Sequence, residues 1–522
     1  MRLARICLVA LAALTLTARA GAAQELTIGL SANVTSLDPH FHALSPNNSV
    51  AAYFFDRLIL QDPQSRLIPG LATSWKAIDD TTWEFKLRQG VKFNDGSPFD
   101  AEDVLASLKR VPWVPNSPSS FAVYTRPIVE TIVVDPHTIR FKTKLPYGLL
   151  PQDMANVYIV HRAHVNLPTV EFNGGKGTLG TGPYKFAEYV PGNRIVVQRN
   201  DAYWGAKAHW TKVTMRMITS DPARVAALLA GDVQMIEGVP PVDVARLKST
   251  PTVTLSRVVS NRLIYLSMDQ FRDEAPHVFD KQGQPLKANP FKDVRVRRAI
   301  SMAINRSAIV ERVMESEAIP AAGMLPPGYY GANPALKPDP YDPQRARALL
   351  AEAGYPNGFR ATIHGPNDRY VNDEKIIQAI GPMLTRIGID AQVQALPFAA
   401  YAGQSSAPGY AFSLMLWGWG SSEISTFFRA LIATVDRERG LGGSNRGRHG
   451  NAALDDLVLR ANATLDEEKR EVMLQEAGRI AAESLALIPL HHQINIWALR
   501  KGLSYEARAD EYTLAASVRP AP

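Results

Sequence analysis

Between Trp83 and Leu108 the sequence writes out a strand, a tight turn and a capped helix, and this unit constrains the fold more than any other stretch. Trp83, Phe85 and Leu87 alternate with Glu84, Lys86 and Arg88, the period of a half-buried strand. Gly90 breaks that strand, and Val91-Lys92-Phe93 predicts a second short one. Asn94-Asp95-Gly96 is a turn signal. Asp100 then stands where an N-cap belongs, ahead of a helix with an acidic first turn that runs through Asp103 to Leu108.

The amino terminus predicts export. Arg2 and Arg5 precede an apolar run from Ile6 to Leu16, and small residues follow at Ala18, Ala20, Ala22 and Ala23. This is the layout of a secretory signal peptide spanning residues 1–23, with an apolar run too short to cross a bilayer. The single cysteine, Cys7, lies inside that segment. None stands at the cleavage point, so neither a lipoprotein anchor nor an intrachain disulfide is expected. A chain of this length buries enough core to need no disulfide. The reading is a protein released into the periplasm of a Gram-negative host.

Hydrophobic residues make up 46% and charged residues 20% of the sequence, ordinary values for a globular chain. Removing the three arginines of residues 1–23 lowers the formal charge from +7 to +4. No basic run accompanies this mild excess, which argues against nucleic acid as a partner.

The rest of the chain alternates strands and helices. Strands are predicted at Glu25–Leu30, at 128–142 with Asp135-Pro136-His137 as a turn, and at Arg194–Arg199. Ser49–Leu60 reads as a helix. The segments 221–231 and 342–354 share Asp-Pro-x-Arg-x-x-Ala-Leu-Leu-Ala, with Asp221 and Asp342 as caps and Gly231 and Gly354 as stops. Further helices are expected at 294–304, 307–314, 373–387 and 465–484, and strands at 389–396 and 412–417. Helices alternating with strands indicate an α/β chain with helices packed on sheet faces.

Several motifs invite a chemical reading. Gly175-Lys176-Gly177-Thr178-Leu179-Gly180 fits G-x-G-x-x-G, but Thr181-Gly182-Pro183-Tyr184 leads into a strand where a dinucleotide site needs a helix. The pairs His40/His42, His161/His164 and His491/His492 lack the further ligands of a metal centre. Metalloprotease, nucleophile-elbow and P-loop motifs are absent, so no enzyme activity and no cofactor are expected. Leu414-Met415-Leu416-Trp417-Gly418-Trp419-Gly420 is the best ligand candidate, because an apolar strand running into glycine-flanked indoles can wall a cleft. Trp417 reads equally as core or cleft, and Trp419 as cleft. Arg369 can grip a carboxylate in two parallel hydrogen bonds, or pair with Asp368 or Asp373 at a helix start.

The Trp83–Val104 stretch resembles the bacterial extracellular solute-binding proteins of family 5, which serve peptide and nickel importers. The resemblance continues through Gly180–Tyr184 with Arg199-Asn200 and Tyr203-Trp204, and through Arg298–Ile300 with Ala303–Arg306. It returns at Ala346–Tyr355, Ile387–Ile389, Asn445–Arg448, Asn451–Leu457 and Ile488–Leu490. It implies the large periplasmic binding protein fold: two α/β lobes joined by crossing strands, an extra small lobe, and the ligand in the interlobe cleft. Residues 24–49, 174–266 and 489–522 would form lobe I, 50–173 the extra small lobe, and 267–488 lobe II.

The implied function is capture of a peptide-like solute and its delivery to a membrane ABC permease with separate ATPase subunits, by a monomer. Nickel chelates, glutathione-like compounds, opines and sugars are the alternative cargo, and a periplasmic hydrolase or chaperone is the remote one. In peptide-binding relatives an Asp close behind the Gly-Trp holds the peptide's amino terminus. Here Ser422 stands at that position, with Glu423 beside it. The candidate ligand set is His42, Tyr265, Asp368, Arg369, Trp417, Trp419, Ser422, Glu423 and His492. No ligand contact is expected from Trp83 through Val104.

Overall fold

Asp100 caps the helix Ala101–Arg110 as its sequence predicts, accepting from the Glu102 amide while the Asp103 carboxylate accepts from the Asp100 amide. The computed structural model describes residues 24–406 and 411–521, so the signal segment 1–23 lies outside the described residues. The strand before the cap runs Thr82–Leu87, with Phe85 and Leu87 buried. Glu84 departs from the alternation. It is buried because Arg140 and Lys86 pair with it at 2.8 and 3.4 Å. The short strand expected at 91–93 is reduced to a single antiparallel bridge between Lys92 and Pro98, with the turn between them closed by the Phe93 amide on the Ser97 carbonyl at 2.8 Å and Gly96 at φ 92°.

Thr82–Leu87 belongs to a four-stranded antiparallel sheet with Ala72–Asp79, Thr138–Thr143 and Ile128–Asp135. Phe85 and Phe141 meet in its core with ring centroids 5.0 Å apart. Burying one such ring contributes about 1.5–3 kcal/mol.

The second sheet has twelve strands and holds the architecture together. At one end Glu25–Leu30 pairs parallel with Lys212–Met217, followed by Arg194–Arg199 and Tyr184–Val190. At the other, Phe359–Pro366 pairs parallel with Ile389–Leu396 and with Leu414–Gly420. Two long antiparallel strands, Val253–Met268 and Ile488–Arg500, bridge the ends. Their register breaks between Val259 and Leu263. Before the break, Leu255 and Val258 pack with the first end; after it, Ile264 and Leu266 pack with the second.

The buried apolar residues gather accordingly. Leu26, Ile28, Val213 and Trp497 form one core with the helix Ser45–Phe54. Phe85, Phe99, Leu108 and Phe141 form another. Ile300, Ile363, Ile377 and Leu416 form a third, while Tyr265, Trp417, Phe427 and Leu474 form a fourth on the opposite face of the same strands.

Most predicted elements stand within a residue or two. The first helix begins four residues earlier than its pattern suggests, because Pro46 occupies the first turn, and it ends at Phe54. Asp221 is the first residue of its helix rather than the cap; its carboxylate pairs with Arg224 at 2.5 Å. Asp342 does cap, accepting from the Gln344 and Arg345 amides. The G-x-G-x-x-G loop leads into the strand Tyr184–Val190, and a Cβ on Gly180 would lie 2.0 Å from the Phe54 carbonyl oxygen. Close backbone packing accounts for that glycine.

Candidate functional site

The register break in the crossing strands leaves Arg262 unpaired with Ile488–Arg500, while it still stands opposite Gly420 on the aromatic strand. Glu511 grips it from the carboxy-terminal segment, Nε and Nη2 donating to the two carboxylate oxygens at 2.5 Å each. Gln493 donates to the same carboxylate at 2.7 Å, and Ser45 accepts from Arg262 at 3.2 Å. Burial pushes the Glu511 carboxyl up, but the charge and bonds of Arg262 outweigh it, and its pKa is lowered. Arg262 is a satisfied cation.

Arg369 is a different case. It precedes the helix Asp373–Arg386, and both acids that could neutralise it are engaged elsewhere. Asp373 accepts the backbone amides of Arg369 and Tyr370 at 3.0 and 2.9 Å, and Asp368 accepts the Phe398 amide at 2.6 Å. Its guanidinium lies over Tyr370 and Phe398, with ring centroids 5.3 and 5.6 Å away. Among the described residues it makes no ion pair. The Arg262 guanidinium lies 5.7 Å from the same Tyr370 ring. Burial first, and then the charge of Arg262, lower the Arg369 pKa. Across from it stands His42, whose Nδ1 lies 3.1 Å from Thr35 Oγ1; burial and then Arg369 lower its pKa. The charges of Glu511 and Asp373 offset the lowering at Arg369 only in part, and a cation without an ion pair among aromatic faces can receive an anion.

The aromatic strand Leu414–Gly420 forms the adjoining wall. Trp417 stands opposite Tyr265, and Trp419 opposite Leu263, which in turn faces His492 on the next strand. These side chains therefore share one face. Trp417 and Tyr265 are buried in the core on that face. Arg446 lies 3.8 Å from the centre of the Trp417 ring system, and Tyr401 packs on it at 4.9 Å. Trp419 is half-buried, and neither indole N–H has a hydrogen-bond partner. His492 is buried with Nδ1 unpartnered, and burial pushes it down to about 4. Tyr370 donates to the Gly418 carbonyl at 3.0 Å, fixing the aromatic strand beside Arg369.

Beyond Gly420 the chain turns into the segment Ser421–Glu423. The Ser422 hydroxyl accepts from two amides, Gln61 at 2.7 Å and Gln152. Glu423 is 4% exposed; Oε1 accepts from Ser425, and Oε2 has no partner. Burial raises its pKa, opposed by the charges of Arg470 and Arg429.

The fold thus gathers Arg369, Asp368 and His42 beside Arg262, and Tyr265, Trp417, Trp419 and His492 on one face of three adjacent strands. Sequence reasoning missed Arg262, Tyr370, Glu511, Gln61 and Gln152. Arg262 carried a weak signal, a charge directly ahead of the apolar run Leu263-Ile264-Tyr265-Leu266. Tyr370 adjoins Arg369 but read as a plain aromatic, and Glu511, Gln61 and Gln152 come from remote segments and carried none. Among the described residues, no group of three or more His, Cys, Asp or Glu could hold a metal ion, and no helix is long and apolar enough to cross a membrane.

Comparison with known proteins bears on the whole chain. The glutathione-binding protein GsiB of Escherichia coli K12 is 29% identical over 476 residues, covering 90% of this chain and 89% of the relative. The periplasmic binding protein DppA from Helicobacter pylori, in complex with the peptide STSA, superposes with a TM-score of 0.81 at 23% identity, covering 95% of this chain and 98% of that one. AgaA from A. tumefaciens R10, in complex with agropinic acid, gives 0.79 at 24% identity, covering 95% and 99%. These likenesses establish the large periplasmic binding protein fold that the sequence led us to expect. Residues 66–437, more than half of the chain, match the family model for bacterial extracellular solute-binding proteins, family 5 Middle, and the protein belongs to that family.

Proposed function

We propose that this protein captures a peptide-like solute in the periplasm and delivers it intact to an ABC-type importer, acting as a monomer. Residues 24–49, 174–266 and 489–522 serve as lobe I, 50–173 as the extra small lobe, and 267–488 as lobe II. The break at Ser260–Arg262 is the hinge between the two main lobes. The observation that carries the reading is Arg369, a guanidinium with aromatic neighbours and no ion pair among the described residues. A carboxylate on the solute satisfies it through two parallel, charge-assisted hydrogen bonds.

The rest of the site follows from that anchor. The unpartnered Oε2 of Glu423 is the acceptor for a solute ammonium. Trp419 supplies an apolar wall, with Tyr265, Trp417 and His492 behind it. His42 brings lobe I to bear on the same solute, and Asp368 and Ser422 hold the loops around it. The extended solute adds its own backbone hydrogen bonds between the lobes. A solute touching both lobes favours the closed arrangement because its affinity for that state is greater. The relatives and structural neighbours are binding proteins, which supports transport over catalysis.

The test is calorimetry on protein stripped of cargo by unfolding and refolding, titrated with a peptide library. Saturable binding that Arg369→Met abolishes supports the proposal. No binding from any peptide removes the peptide reading. A second reading, a non-peptide anionic cargo, draws on one observation: the Ser422 hydroxyl is already occupied by Gln61 and Gln152. Glutathione, a nickel–histidine chelate and an opine, titrated in parallel, separate the two readings.

A further inference from the structure

Residues 147–153 are joined to the 422–470 region by a dense set of polar contacts. Arg429 donates from Nη2 to Asp153 Oδ1 at 2.9 Å and from Nη1 to Oδ2 at 3.2 Å, and both side chains are nearly inaccessible. Tyr147 donates to Asp153 Oδ2 at 2.6 Å and accepts from Arg429. One residue on, the Gly148 amide donates to the Asn462 carbonyl at 2.7 Å, and the Gly148 carbonyl accepts from Arg470 at 2.8 Å. A Cβ on Gly148 would lie 2.6 Å from the Thr464 carbonyl oxygen, so only glycine permits this approach. Gln61 and Gln152 complete the contact on Ser422.

The apolar cores do not share this joint. The cluster containing Phe85 and Leu150 draws on residues up to Trp204, while the clusters containing Trp417 and Leu416 begin at Leu263. By contrast, Val50–Phe55, Tyr158, Val160 and Phe172 pack directly into the core with Leu26 and Trp497. The small lobe is therefore fused to lobe I through a common apolar core, and at this joint it meets lobe II through hydrogen bonds and a buried ion pair. Such a pair nearly balances desolvation against attraction, so it parts into water at little net cost, whereas an apolar joint would not. The same joint reaches the candidate site. Ser422 adjoins Glu423, and Arg429 and Arg470 are the cations that act on the Glu423 carboxyl.

We propose that Tyr147, Gly148, Asp153 and Arg429 form a reversible clasp by which the small lobe holds lobe II in the closed arrangement and sets the Ser422–Glu423 turn. This rests on the two-lobe capture reading. Arg429 and Asp153 are positioning residues, acting on bound solute through Glu423 rather than by touching it. Opening separates the small lobe from lobe II and leaves both cores intact.

Native-state hydrogen exchange on the full, cargo-stripped chain tests this without knowledge of the cargo. The reporter is the peptide containing Gly148, whose amide bonds across the joint. The references are the strands Thr82–Leu87 and Phe359–Pro366, one in each core. In the wild type the Gly148 amide should exchange at least ~100-fold faster than the reference amides, through an opening well short of unfolding. Arg429→Met should speed it by a further ~10-fold with the references unchanged. Gly148→Ala should reproduce that selective loss of protection around the joint, at Arg429 and its neighbours, and Arg429→Lys should restore part of it. Exchange of Gly148 at the rate of the core amides would mean a fixed joint and overturn the proposal. So would an equal acceleration of all three regions by Arg429→Met, or none. These outcomes do not depend on whether the cargo is a peptide, so failure here and failure of the capture reading are separable.

Discussion

Replacing Arg369 by methionine separates a binding role from a structural one, because the two predict opposite signs for stability. In the folded chain Arg369 makes no ion pair among the described residues; burial and the charge of Arg262 work against its guanidinium, and the carboxylates of Glu511 and Asp373 offset them only in part. Methionine keeps the apolar stem against Tyr370 and Phe398 and removes a cation without an ion pair from a partly buried slot. The cargo-free protein should therefore keep its stability or gain up to ~1 kcal/mol, the scale of a like-charge contact near a surface. Binding should move the other way. Two hydrogen bonds to a charged group contribute about 1.5–3 kcal/mol each. Relief of the repulsion between Arg369 and Arg262 recovers part of that sum in the variant. A net loss of about 2–4 kcal/mol remains, or roughly 30- to 1000-fold in Kd. Calorimetry with the co-purified solute measures the affinity, and urea unfolding of stripped protein measures the stability. Loss of affinity accompanied by an equal loss of stability would place Arg369 in the scaffold and refute the argument. So would an unchanged Kd.

Four further outcomes follow from the same geometry. Trp419→Ala should weaken cargo binding by more than about 1 kcal/mol, and cargo should shift or quench the Trp419 emission; unchanged affinity assigns it to the surface. Trp417→Ala should instead cost about 3–5 kcal/mol of stability, since its indole is buried among Tyr401, Phe398 and Arg446; a shift of less than about 1 kcal/mol in urea unfolding contradicts its place in the core. Glu423→Gln should penalise amine-bearing solutes more than amine-free ones, and equal losses for both would remove its assigned role. His364 is buried against Phe412 with ring centroids 4.0 Å apart, and burial pushes its pKa down to about 4. It stays neutral in the native protein and takes up a proton on unfolding, so its site loses stability as pH falls from about 6.5 to 4. His364→Phe should remove that loss, gaining on the wild type by about 1.4 kcal/mol per pH unit across the window; parallel stability–pH curves would contradict the assignment.

What the sequence made legible was local. The alternation of Trp83, Phe85 and Leu87, the cap at Asp100, the stop at Gly354 and the Asp342-Pro343 helix start depend on residues within a few positions of one another, and such short-range chemistry survives folding intact. Glu84 shows the first limit: its outward position in the pattern is overridden by Arg140, which stands 56 residues away and comes near only through pairing of two strands in the sheet. Asp221 shows another, since a pairing with Arg224 one turn away took its carboxylate from the cap. The site itself is assembled by the crossing strands. Arg262, Glu511, Ser45 and Tyr370 lie more than a hundred residues from one another, and no spacing rule links them. For Arg369 the sequence left two partners open, Asp368 and Asp373. Only the structure reveals that both are spent on backbone amides. The clasp was invisible for the same reason, its parts being contributed by the stretches 147–153 and 422–470.

The protein should hold one intact, carboxylate-bearing solute between its lobes, and native mass spectrometry of protein purified from its own host reads this out. The expected result is a one-to-one complex whose solute is recovered chemically unchanged after denaturation and is missing from the Arg369→Met variant. Recovery of the same solute from both proteins, of cleaved fragments, or of a solute with no anionic group would contradict it.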